Sequence, residues 1–260
     1  MTPPASAPLL VRWRRIPAAT AAAACAGALA LTLGACGGSA DPDEGTNGIG
    51  DLPAAEIEER ARQAAVDASA VRLSGTVTSE GRSYRLDVRL SEEGGVGEVS
   101  AEGMTFELLR VGDELFLKAD EAFWESEGIP EELETDPAEK LDGKYVRVAP
   151  EDPAYAQLSG FTDKETLLEG LLTLEGERET GDRGEIQGVR TIRVEADGGV
   201  GGAMDVSLDG VPYPMRLERG GAAGELTMDD WGEEFELRAP GEDDIVDYGD
   251  DIITPQDETE

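Results

Sequence analysis

The chain has 260 residues, with 57 acidic and 22 basic side chains and no histidine, for a formal net charge of −35. That balance excludes a nucleic-acid binder, because a phosphate backbone repels such a surface. The lack of histidine removes Ser-His-Asp and Cys-His catalysis and every histidine-based metal site.

Residues 1–35 read as a lipoprotein signal peptide. Arg12, Arg14 and Arg15 form a basic start with no acidic residue, and Ala18 to Leu33 is a run of 16 apolar and small side chains. A membrane span needs about 20 apolar residues, so this run is short for one and fits a signal core. Ile16-Pro17 after the arginine pair favours the general secretory route over twin-arginine export. Leu33-Gly34-Ala35-Cys36 has the form of a lipobox, with small residues between Leu and Cys. A plain signal peptide cut elsewhere is the alternative. Cys25 leaves with the leader and Cys36 becomes the lipid attachment point, so no disulfide remains and the core must hold the fold. Cleavage before Cys36 leaves 225 residues, with 19 basic against 57 acidic side chains. Anionic headgroups repel such a chain, so two acyl chains on Cys36 would have to hold it. The expected location is the extracytoplasmic face of the cell membrane.

Residues 36–50 read as a flexible linker, with a reach of roughly 20 Å for a random coil. The segment 51–239 reads as one domain. Asp51 to Ala68 is predicted to be a helix capped by Asp51, with Ile57, Ala61, Ala64, Ala65 and Ala68 on one face. From Val71 the period changes to two. Alternating runs at Val71–Val77, Tyr84–Leu90, Val96–Ala101, Met104–Leu108 and Glu114–Lys118, joined by Gly-rich turns, predict antiparallel strands apolar on one face.

Asp120 to Phe161 interrupts the strands. Asp120 can cap a short helix through Phe123-Trp124, and Ala138–Leu141 is a helical stub ended by Gly143. Lys144–Ala149 reads as a strand and Pro150–Pro153 as a loop. Thr162-Asp163-Lys164-Glu165 has the pattern of a capping box for a helix bearing Leu167, Leu168, Leu171 and Leu172. Strands resume at Glu177–Ile186, Val189–Ala196 and Met204–Leu208. Asp209-Gly210 is a two-residue hairpin signal. Tyr213–Leu217, Leu226–Met228 and a last strand at Phe235–Leu237 follow, with a corner at Trp231-Gly232. The segment 240–260, with nine acidic residues and no basic one, reads as a disordered tail, although Ile245, Val246, Ile252 and Ile253 leave room for a docked segment.

No phosphate loop or dinucleotide fingerprint is present. No carboxylate pair stands out from 57, so a carboxylate hydrolase has no site to name. Asp41-Pro42-Asp43-Glu44 and Asp243-Asp244 lack calcium-loop spacing and read as solvated charge. The expectation is a protein without catalytic residues, metal or cofactor.

The order of elements predicts an α+β fold, with a strongly curled antiparallel sheet whose concave face is covered by helices. Leu33–Cys36, Phe116-Leu117-Lys118-Ala119-Asp120-Glu121-Ala122-Phe123-Trp124 and Pro212-Tyr213-Pro214-Met215-Arg216-Leu217 resemble the actinobacterial LppX/LprG-type lipoproteins, relatives in fold of the LolA/LolB half-barrel carriers. The resemblance covers about Ile57 to Leu237. It implies an apolar cavity between sheet and helices that takes an acylated lipid or glycolipid. Met104, Phe106, Leu108, Leu115 and Leu117 would line the sheet side. Phe123, Trp124, Leu167, Leu168 and Leu171 would line the helix side. Each of these residues also suits an ordinary core. The expected partners are the membrane, through Cys36, and a lipid ligand bound by a monomer. The alternative is a tethered module that docks an envelope protein.

Overall fold

A computed structural model describes residues 43–79, 81–120, 123–124, 141 and 143–246. The leader, Cys36, Glu121, Ala122, residues 138–140 of the expected stub, Ile252 and Ile253 lie outside the described residues.

The first helix, α1, spans Ala54–Asp67. Its cap is not Asp51. Asp51 closes a single 3-10 turn, Ile49–Asp51, and Pro53 stands at the cap position without a side-chain hydrogen bond. Pro53 supplies a fixed φ and no N–H to satisfy. Ala54, Ile57, Ala61 and Ala65 are buried along one stripe, as the spacing predicts.

The strands are β1 (Ala70–Ser79), β2 (Arg82–Ser91), β3 (Gly94–Ala101), β4 (Met104–Val111), β5 (Glu114–Ala119) and β6 (Tyr145–Val148), then β7 (Arg178–Ile186), β8 (Val189–Ala196), β9 (Gly202–Ser207), β10 (Pro214–Arg219), β11 (Gly224–Asp229) and β12 (Ile245–Val246). They form one open sheet of 12 strands in the order β12-β6-β5-β4-β3-β2-β1-β11-β10-β9-β8-β7. All pairs are antiparallel except β12 with β6. The fold is therefore α+β, and β1 joins its two runs of strands.

Register carries the alternation across the sheet. Val71, Leu73 and Val77 face the same side as Leu90, Val88 and Tyr84, and Leu86 lies opposite Val99, which lies opposite Phe106. From there Leu108 meets Leu117, and Leu117 meets Val146. In the other direction Leu73 meets Met228, Leu226 meets Leu217, Leu217 meets Met204 and Met204 meets Val194. These side chains belong to one continuous apolar cluster. Two more helices, α2 (Pro153–Ser159) and α3 (Lys164–Leu171), accompany α1. α1 packs on β7–β10 and on α3.

The opposite face is charged and laced with ion pairs. Arg193 reaches Glu195 at 2.7 Å, Asp205 at 3.2 Å and Glu218 at 2.6 Å, and Arg216 holds Asp205 from β10 at 2.8 Å. Arg72 grips Asp87 with two bonds of 2.9 Å. Arginine's planar fork suits such cross-strand pairing, and it sets local positive charge against a chain of strong net negative charge.

Several sequence expectations are corrected. Residues 43–50 are not a linker: Asn47 donates its side-chain amide to the Ser207 and Gly210 carbonyls, its N–H bonds Leu208, and Ile49 is buried. Asp43 pairs with Arg183. The cap of α3 is Asp163, whose side chain accepts from the Thr166 N–H at 2.8 Å; Thr162 is fully buried and turns its hydroxyl to the Ser159 carbonyl instead. The loop at Pro150–Pro153 is present but one residue shorter, because α2 begins at Pro153. Asp209-Gly210 does not make a two-residue hairpin, since β9 ends at Ser207 and β10 starts at Pro214. Phe235–Leu237 is not a strand. β11 already lies between β1 and β10, so a strand that follows it has no free edge beside it. Residues 241–246 are docked: Ile245 and Val246 pair with Tyr145 and Val146, and Lys144 holds the Asp243 carbonyl at 2.9 Å and Asp244 at 3.5 Å.

Close approach explains one glycine on the covered face. A Cβ on Gly97 would stand 2.2 Å from the Asp87 carbonyl oxygen and 2.5 Å from the Val88 Cα. Both are backbone atoms and cannot swing away. Gly97→Ala should therefore destabilise the domain by about 1–3 kcal/mol, read as a lower urea midpoint at an unchanged slope.

Candidate ligand-binding site

The ten side chains expected to face a ligand come together in space. Leu108, Leu115 and Leu117 have no exposed surface, and Phe106 is almost as buried. Met104 packs at the margin of the same cluster. Above them, Asp120 accepts from the Phe123 N–H at 3.0 Å and starts a helical turn that carries Phe123 and Trp124. The Phe123 ring lies 5.4 Å from that of Phe106 and 5.1 Å from the Trp124 ring, which it meets edge-on. The Trp124 indole N–H is satisfied by the Ala119 carbonyl at 3.3 Å. A buried Trp needs such a partner for its polar end. Leu168 is fully buried and Leu171 nearly so, while Leu167 packs at the edge.

Two cations hold the covering helices down. Arg110 comes from the apolar side of β4. It donates to the Thr162 carbonyl at 3.1 and 3.3 Å and to Asp163 at 3.1 Å, which pins the start of α3 to the sheet. Lys164 is buried, and its ammonium donates to the Val66 carbonyl at 2.9 Å and to the Ala68 carbonyl. The last carbonyls of a helix lack internal partners and carry partial negative charge, so a cation there is well placed. Lys164 thus ties α3 to the end of α1. At the other end of the cover, buried Glu58 of α1 accepts from Arg178 at 2.6 Å. These links were missed in the sequence because each joins residues about 50 to 120 positions apart.

Clefts with described walls lie around the rim of the cover. One of about 230 Å³ runs between Leu171, Leu174, Val200, Gly201 and Leu217. Another of about 350 Å³ is lined by Val66, Ser91, Arg110, Asp163 and Lys164, and one of about 510 Å³ by Glu58, Arg62, Gly176 and Arg178. Leu171 is the one expected residue in these three walls. Among the described residues no group of three acidic or sulfur side chains is arranged to hold a metal ion, and no helix is long and apolar enough to cross a membrane.

Comparison with solved structures returns the fold that the sequence resembles. LprF from Mycobacterium bovis superposes with a TM-score of 0.50 at 14% identity, covering 72% of this chain and 96% of that one. The lipoprotein LppX from Mycobacterium tuberculosis gives a TM-score of 0.43 at 14% identity, covering 71% of this chain and 98% of that one. No family model matches the sequence, and neither does any curated protein. At this identity the likeness to LprF is one of fold.

Asp163 gives the site a pH dependence with a definite sign. Partial burial pushes its carboxyl up, but the Thr166 and Glu165 amides and the Arg110 guanidinium outweigh this and hold it below its ordinary 3.8. A depressed folded value means that the stabilisation is complete above the unfolded value and is lost as pH falls through the folded one. Asp163→Ala should cost about 0.5–2 kcal/mol at pH 7. Asp163→Asn should keep most of that stability and flatten the acid limb below pH 3.8. Urea midpoints measured from pH 7 to pH 2 check both.

Proposed function

We propose that the chain is an extracytoplasmic lipoprotein, anchored through Cys36, that binds a lipid or other apolar ligand between its sheet and its covering helices, without catalysis. The observation that carries this reading is Leu33-Gly34-Ala35-Cys36 at the end of an apolar leader, ahead of a domain whose sheet carries a continuous apolar face under helices. The strong curl expected of the sheet belongs to this proposal. A curled sheet covered by short helices makes a concave apolar space, the common setting of a small-molecule site.

The chemistry of the face supports an acyl ligand. Phe106, Phe123, Leu168 and Leu171 offer no charge and few hydrogen bonds, so they would select by shape and dryness. Trp124 has its N–H already occupied by the Ala119 carbonyl. A ligand would enter by displacing the cover, and the rim cleft beside Leu171, away from the Lys164 and Arg110 pins, supports entry on that side. Burial of each methylene would contribute about 0.8 kcal/mol.

Native mass spectrometry of the domain, purified from a lipid-rich host without detergent, tests the proposal. Adducts of several hundred daltons that organic extraction removes are the expected outcome. Leu108→Trp, which fills the face beneath the helices, should abolish them. A single bare mass that phospholipids and glycolipids leave unchanged would overturn ligand binding. It would favour a tethered module that docks an envelope protein.

A further inference from the structure

The end of the sheet near the tether carries a surface that the ligand-binding reading does not use. The connection from β9 to β10, Leu208–Tyr213, projects Val211, which is 49% exposed. Beside it, the ring of Tyr213 stacks on that of Trp231 at 4.8 Å and 4° between planes. Both aromatics are half-buried, and the Trp231 indole N–H donates to the Pro214 carbonyl at 3.1 Å. An exposed valine next to a stacked Tyr–Trp pair is the chemistry of a membrane interface, where amphipathic rings sit at headgroup level.

The same loop is where the chain arrives from Cys36. Asn47 clasps the Ser207 and Gly210 carbonyls, and Arg190 donates to the Glu44 and Gly45 carbonyls. Seven Cα steps separate Cys36 from Asp43, a contour of about 25 Å at most. The other well-exposed valine of the sheet's turns, Val200, lies past the far end of β8. To bring that end to the bilayer, the segment would have to reach along the eight residues of β8, about 26 Å. That would use its whole contour. The Val211 end needs no such extension.

Two of the carboxylates at this end are neutralised by arginines. Asp209 in the loop is paired with Arg190 at 2.5 Å, and Asp230 beside Trp231 is paired with Arg89 at 3.3 Å. Glu233 and Glu234 are exposed next to it, so a zwitterionic surface suits this end better than an anionic one.

We propose that Val211, Tyr213 and Trp231 form a membrane-interface contact that seats the tethered domain end-on on the bilayer; this rests on lipid anchoring at Cys36 but not on a ligand cavity. The test uses the full lipid-modified protein reconstituted in phosphatidylcholine vesicles whose acyl chains carry bromine, which quenches tryptophan at short range. Flotation with the vesicles and quenching that drops in Trp231→Phe are expected, with weaker quenching in Val211→Asp and in Asn47→Ala, and with added phosphatidylglycerol. Lipid in the proposed ligand site would quench Trp124, and Trp231→Phe would leave that part unchanged. Flotation without quenching, or quenching that Trp231→Phe leaves undiminished, would overturn the contact while leaving the anchor intact. Failure to float would overturn the anchor and the contact together.

Discussion

A sheet of 12 strands with one apolar face must bury that face, and three short helices are the described cover. Everything else in the domain answers to this constraint. The cover is thin, and α1 meets the sheet through alanines and one isoleucine rather than through large side chains. What keeps it in place is polar. Lys164 bonds the carbonyls that end α1, Arg110 holds the start of α3, and Glu58 with Arg178 fixes the far rim. Each is a buried or half-buried charge whose partner is close and well placed. Removing one member of such a pair leaves the other uncompensated in a dry place. The cover is thus attached at a few strong points, with apolar contact between them.

The fold was legible where a strand pairs with its neighbour in sequence. The period-two runs from Val71 to Lys118 follow one another through tight turns, and the register observed is the one their alternation demands. Legibility failed where the answer depended on a distant partner. Phe235–Leu237 has the pattern of a strand and no edge to join. Ile245-Val246 looks like part of a charged tail and finds an edge 100 residues back. The capping pattern of α3 begins one position before the cap itself, because the Thr162 hydroxyl bonds the nearer Ser159 carbonyl. Pro153 after Asp152 starts a helix, in a stretch whose two prolines read as a loop.

The site was legible as a set of apolar positions: all ten side chains belong to or pack against one cluster, where ordinary core residues also sit. The supports of that cluster were not legible. Nothing local to Lys164 says that its ammonium will be buried against the end of α1, since a lysine in the first turn of a helix ordinarily faces water. Asn47 was equally silent. It sits in a Gly- and Asp-rich stretch that reads as a tether, and only the position of the β9–β10 loop makes it a clasp.

The pairing of β12 with β6 has a consequence for neighbours rather than for ligands. An open sheet has two edges, and each presents unpaired backbone groups that invite another chain. At one edge the two residues of β12 lie over β6 and occupy its outward groups. At the other, β7 is irregular between Thr180 and Arg183 and carries Arg178, Glu179, Asp182, Arg183 and Glu185 along its length. One edge ends in a strand of only two residues and the other is broken and charged. A sheet finished in this way resists strand-to-strand association even when many copies are held side by side.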